Sequence, residues 1–194
     1  MDLADTTTII IVAVLFLVIG GLLALAVTRF QRTKRLRDRF GPEYDRTLEK
    51  VGDKRQVEDQ LEARLAHVQT LNIRALSAEE VNRFAREWQA TQTEFVDQPL
   101  ASVRKADRLI QDVMRTRGYP VDDFEQRAAD ISVDYPDVVI HYRELHEIAT
   151  RGDDEKVSTE EMRQAMVHGR ELFERLVQSE ANTNTEDIHQ KERI

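Results

Sequence analysis

The stretch GGLLALAVTRFQRTKRLRDRF, residues 20–40, decides the architecture of this chain. It closes a long apolar run with Ala24-Leu25-Ala26 and then turns basic. Such a boundary reads either as a secretory signal cut after an A-x-A site or as an anchor that stays. From Ile9 to Val27 there are nineteen residues without a charge. At about 1.5 Å per helical residue they cover roughly 28 Å, close to the thickness of a bilayer's hydrocarbon core.

A signal would begin with a basic segment and carry a shorter apolar centre. Here Asp2 and Asp5 precede the run, no Lys or Arg does, and the basic residues lie on its far side. Only the Ala24-Leu25-Ala26 triplet favours cleavage. Residues 9–28 are therefore expected to form an uncleaved transmembrane helix.

Arg29, Arg32, Lys34, Arg35, Arg37 and Arg39 follow the span and face only Asp38. Positively charged flanks resist translocation, which predicts a short N terminus (residues 1–8) outside and the bulk of the chain in the cytoplasm. This collar, residues 29–40, is a topology determinant and also a candidate contact for anionic lipid headgroups. Gly20, Ala24 and Thr28 recur every four residues, the small-residue spacing that lets two membrane helices approach closely. A homo-oligomer through that stripe is one expectation, although Gly and Ala are common in spans on their own account.

The chain has 194 residues and a net charge of −8. Residues 1–28 carry −2 and residues 29–40 carry +5, leaving −11 for residues 41–194. A domain of that sign repels a phosphate backbone, so no nucleic acid is expected as a partner. The absence of cysteine excludes disulfides, thiolate zinc sites and cysteine nucleophiles. One third of the residues are charged, and the few Gly and Pro sit at boundaries, a helical composition.

Outward from the collar, Gly41-Pro42 stops one helix and starts another. Tyr44, Leu48 and Val51, then Val57, Leu61, Leu65 and Val68, keep helical spacing on either side of Gly52-Asp53. This predicts a juxtamembrane segment over 42–75 that is either one long kinked helix or two consecutive ones. Ser77 with Glu80 makes a capping box, opening a helix with Val81, Phe84, Trp88 and Phe95 on one face. Gln98-Pro99 starts another, which Gly118 ends. A short helix from about Asp122 to Ile131 follows, then one opened by Pro136 and ending near Arg151-Gly152. Ser158 with Glu161 caps the last helix. The expected fold is all-α: a single N-terminal transmembrane helix, a juxtamembrane helical segment, and a compact multi-helix bundle over 76–178. The polar tail 179–194 is expected to be disordered.

Catalytic motifs are sparse. His146-Glu147 begins the H-E-x-x-H zinc pattern, but the fifth position is Thr150. His141, Glu144 and the distant His168 could serve a metal or acid/base chemistry, without any defining spacing. Asp122, Asp123 and Glu125 sit where carboxylates cap a helix and complement its dipole. The seven glycines are dispersed and form no phosphate loop, and no G-x-S-x-G elbow occurs. Trp88, Phe84 and Phe95 have the spacing of a packed core. No catalytic residue, metal ligand or cofactor is assigned, and an enzyme is not expected.

The segments RFGPEYDRTL (39–48), LSAEEVNRFAREWQATQTEFVDQP (76–99), RGYPVDDFEQRAADISVDYPDVVIHYRELHEIA (117–149) and TEEMRQAMVHGRELFERLV (159–177) resemble a bacterial, often actinobacterial, family with one N-terminal span and a helical domain. RGYPVDDFEQRAAD is the most specific part. The resemblance implies this architecture; the family has no established activity, and no site is carried over. The leading expectation is a membrane-anchored protein-interaction or scaffold module at the inner membrane face. Its alternatives are an enzyme or metal-binding domain centred on His141, Glu144 and His168, and the same module facing outside the cell.

Overall fold

The computed structural model describes residues 3–151 and 157–178, with side chains from Leu15 onward. Residues 1–2, the first side chains of the expected span, the stretch after Arg151 and the tail 179–194 lie outside the described residues. Helix α1, Leu3–Phe40, is continuous across the apolar run and the basic collar. Among the described residues it alone is long and apolar enough to cross a membrane. Leu17, Phe16 and Phe30 are more than 70% exposed, and none of the apolar window is covered by protein, as a lipid-facing helix requires. The chain is an all-helical, single-pass membrane protein.

Gly41 ends α1 at a positive φ of +47°, and Pro42 opens α2, Pro42–Val51. The juxtamembrane segment resolves into two helices. Gly52 takes the left-handed conformation at φ +77°, after which Asp53 caps α3, Lys54–Thr70, by accepting from the Gln56 amide at 2.8 Å. An extended linker over 71–77 then leads to α4, Ala78–Glu94, whose start carries the reciprocal Ser77–Glu80 capping box.

Helix α5, Pro99–Arg117, ends at Gly118. Helix α6, Phe124–Asp134, is capped by Asp123, whose side chain accepts from Gln126 N, so one of the three acidic residues there is a cap. Pro136 lies in the turn before α7, Val139–Thr150, and α8, Thr159–Gln178, begins at the Ser158–Glu161 box.

Two apolar cores result. The larger joins α4, α5, α7 and α8, with Ile110, Val113, Met114, Tyr142, Leu145 and Leu172 buried and α5 in the middle. Trp88 stacks on Phe173 with ring centroids 4.6 Å apart, so the α4 aromatics are core rather than the lining of a ligand pocket. The smaller core holds Leu36 and Phe40 of α1, Tyr44 of α2, Val57, Leu61 and Val68 of α3, and Val133 of α6. Leu71 and Ile73 of the linker pack against both cores. The end of the membrane helix is thus a structural member of the helical domain.

Candidate membrane-interface site

The collar supplies the densest set of charged contacts near the membrane. Its geometry follows from a hairpin: α2 folds back along the end of α1, and α3 then runs outward beside it. Thr33 of α1 donates to Glu58 of α3, and Arg32 donates to Glu62 at 2.6 and 3.0 Å and to Asp59 at 2.7 Å. Arg35 reaches Glu62 at 3.2 Å, Arg37 reaches Asp45 at 2.7 Å, and Arg39 reaches Asp134 of α6 at 3.4 Å.

Four of the six collar cations therefore face acidic residues of the domain. Glu62, then Asp59, hold the proton on Arg32 more tightly than on a free arginine. The Asp45 hydrogen bond does the same for Arg37. Exposed pairs of this kind contribute little singly. Arg32 is the exception in degree, being 29% exposed, hydrogen-bonded to Asp59 and Glu62, and 3.9 Å from Glu58. The acidic balance of the domain thus has a local purpose, since part of it neutralises the collar.

Arg29 and Lys34 have no side-chain partner among the described residues. Gly20, Ala24 and Thr28 lie on an exposed surface of α1; no atom comes within 4 Å of a Cβ built on Gly20, and Thr28 donates to Leu25 O at 3.0 Å.

No family model matches the chain, and neither does any curated protein or solved structure.

The histidine candidates do meet. His168 Nδ1 lies 2.7 Å from Glu144, and the His141 and His168 rings stack at 4.3 Å across α7 and α8. His141 Nδ1 is 3.2 Å from Glu171 instead. These are two stacked imidazole–carboxylate pairs on a partly exposed seam. Among the described residues no group of three or more His, Asp or Glu is arranged to hold a metal ion. His146 lies apart, 3.1 Å from the buried Asp107 of α5 and stacked on Phe124 at 3.7 Å.

Sequence reasoning missed a buried polar junction. Glu43 on α2 is fully buried, and its Oε1 accepts from Arg64 of α3 and Arg143 of α7, each at 3.1 Å. Arg64 also reaches Ser132 of α6 at 3.3 Å, and Arg143 reaches Glu125 at 3.1 Å. This junction ties the membrane-proximal helices to the main bundle. A usable signal was present for the smaller core: Leu36, Phe40 and Tyr44 keep a spacing of four through the charged collar and across Gly41-Pro42.

Proposed function

We propose that this protein is a membrane-anchored docking module, a helical domain held at a fixed posture against the bilayer to bind another protein at the inner face. The observation that carries the reading is the continuity of α1 from its lipid-facing run into the domain core, where Leu36 and Phe40 are fully buried. A flexible tether would let the domain roam. A helix whose end is packed and ion-paired to α2, α3 and α6 presents one face to the membrane and the others to the surrounding compartment. The Lys/Arg asymmetry about the span supports an inward-facing bundle.

The test is quantitative crosslinking and pulldown of the anchored protein, paired with a C-terminal reporter active only in the cytoplasm. A partner enriched over a variant with scrambled exposed charges, together with an active reporter, is the expected result. No enrichment would end the docking reading, and a silent reporter matched by an active extracytoplasmic one would move the domain outside.

A second reading, an enzyme or metal-binding domain at His141, Glu144 and His168, is favoured by one observation, the meeting of these side chains across α7 and α8. It requires that Zn²⁺ or Ni²⁺ bind the full chain and that His168→Ala abolish the binding. Equal titrations for the two proteins would remove it.

A further inference from the structure

We propose that the cleft between the collar and the first turn of α3 seats the phosphate of an anionic phospholipid headgroup, with Arg29, Lys54 and Arg55 as its ligands. This rests on the anchoring of α1, and neither on a protein partner nor on which side the bundle faces.

Position comes first. Arg29 is the second residue after the uncharged run, so it stands at the water–lipid boundary. From Arg29 to Phe40 the helix rises roughly 16 Å, and the ten residues of α2 return about 15 Å. The Gly52-Asp53 turn is therefore brought back to the level of Arg29. The structure bears this out in a cleft of about 510 Å³ lined by Arg29, Arg32, Thr33 and Glu58 together with Asp53, Lys54 and Arg55.

Charge comes second. The two carboxylates in the cleft are already committed. Asp53 caps α3 by accepting from Gln56 N, and the buried Glu58 accepts from Thr33 and lies 3.9 Å from Arg32. Arg32 is bound to Glu62 and Asp59. Arg29, Lys54 and Arg55 are exposed and have no side-chain partner among the described residues. Three unmatched cations thus face one cleft at bilayer level, on a domain that is otherwise acidic.

The third observation is a local cost. Lys54 and Arg55 occupy the first turn of α3, which has no acidic residue, although cations there oppose the helix dipole. Glu43 and Asp45 in α2, Glu79 and Glu80 in α4, and Glu160 and Glu161 in α8 follow the favourable rule; α5 and α7 also lack an acidic first turn, so α3 is set apart by its adjacent cations Lys54 and Arg55. Asp53 supplies one carboxylate at this terminus, and an anion bound in the cleft would offset the two cations as well. A lipid phosphate at this depth would do so with its acyl chains running along α1 past the exposed Phe30 and Val27.

The experiment uses the full chain purified from membranes containing equal phosphatidylglycerol and phosphatidylcholine, with retained lipids counted by native mass spectrometry. Wild type should retain phosphatidylglycerol preferentially. Lys54→Gln/Arg55→Gln should reduce that preference about thirtyfold, given the attraction of each surface cation for anionic lipid. Arg29→Gln, on the opposite wall, should lower it in the same direction. Arg35→Gln/Arg37→Gln, which removes paired collar cations, should change it less than about twofold.

Because Lys54→Gln/Arg55→Gln removes charges that oppose the α3 dipole, its thermal midpoint should equal or exceed that of wild type, separating lost binding from lost folding. Unchanged preference in that variant, or an equal loss in the Arg35/Arg37 variant, would overturn the proposal. So would displacement of the lipid by millimolar glycerol phosphate, which would identify a site for free phosphate. None of these results bears on whether a protein docks on the bundle.

Discussion

Arg143 on α7 donates to the buried carboxylate of Glu43 on α2 at 3.1 Å, across a sequence separation of 100 residues. Arg64 shares the same oxygen and Arg46 lies 3.9 Å from it, so one anion serves three guanidinium groups where α2, α3 and α7 meet. Removing one member of a buried ionic cluster leaves the others desolvated without compensation. Glu43→Ala should therefore destabilise the full chain in detergent by about 3 kcal/mol or more. Asp45→Ala, which breaks the exposed Arg37–Asp45 pair, should cost below about 1 kcal/mol. Chemical unfolding of the two variants side by side checks the difference, and equal losses would show that the junction carries no special share of stability.

Phe40 is fully buried in the smaller core although it terminates the membrane helix. Truncating a buried Phe removes its transfer energy and leaves a cavity, so Phe40→Ala should cost about 3 to 5 kcal/mol. The loss should be local first. Hydrogen exchange should rise in α2 and α3, which share the core with Phe40, before it rises in α5 and α8, which belong to the larger one. Uniform acceleration across all helices would mean that the two cores unfold as one unit.

Gly118 combines a φ of +100° with a close backbone approach: a Cβ there would meet Asn72 O at 2.5 Å. The contact is backbone on backbone, so no side chain can swing aside. It occurs where the 71–77 linker is pinned to the end of α5 by Arg74 N donating to Arg117 O at 2.8 Å and by the Arg117 guanidinium returning to Arg74 O at 3.2 Å. Gly118→Ala should cost about 2 kcal/mol or more and expose the Arg74 amide to exchange. Gly52→Ala, at φ +77° with open space around it, should cost only about 1 to 2 kcal/mol.

The parts legible in sequence were those encoded within a few residues. The Ser77–Glu80 and Ser158–Glu161 boxes, Gly41-Pro42 and Gly118 each set a backbone state by local chemistry, and the helix boundaries followed them. Apolar spacing likewise placed Phe84 and Trp88, and Val57 and Leu61, inside. The Glu43 junction was not legible, because a carboxylate in the first turn of a helix looks like a dipole partner whether it is exposed or buried. Only the return of Arg143 distinguishes the two. The collar was legible as a topology determinant and a candidate lipid contact, but the pairing of Arg32, Arg35, Arg37 and Arg39 with Glu62, Asp45 and Asp134 depends on a hairpin and a distant helix. The basic pair Lys54 and Arg55 gained meaning only when α2 was seen to bring it back to Arg29.

Two carboxylates should give the stability opposite pH slopes. Burial above all raises the Asp130 carboxyl above its ordinary value of 3.8, against the pull of Gln126, His67 and Arg64. A raised carboxyl contributes stability that is fully present below 3.8 and is lost as pH rises through its folded value. Asp130→Asn keeps an oxygen for the Gln126 amide and cannot ionise, so its thermal midpoint relative to wild type should climb as pH rises from about 3.8 toward neutrality. Glu80 has the reverse sign. Its bidentate pair with Arg74, with the Ser77 amide second, holds it down to about 2 from 4.5. Its contribution is present above 4.5 and is lost as pH falls toward about 2, so the advantage of wild type over Glu80→Gln should shrink across that interval. Thermal unfolding of the three proteins from pH 2 to 7 tests both signs. A constant gap between Asp130→Asn and wild type would show that Asp130 titrates alike in the folded and unfolded chains, and a constant gap for Glu80→Gln would show that the Arg74 pair does not depress its carboxyl.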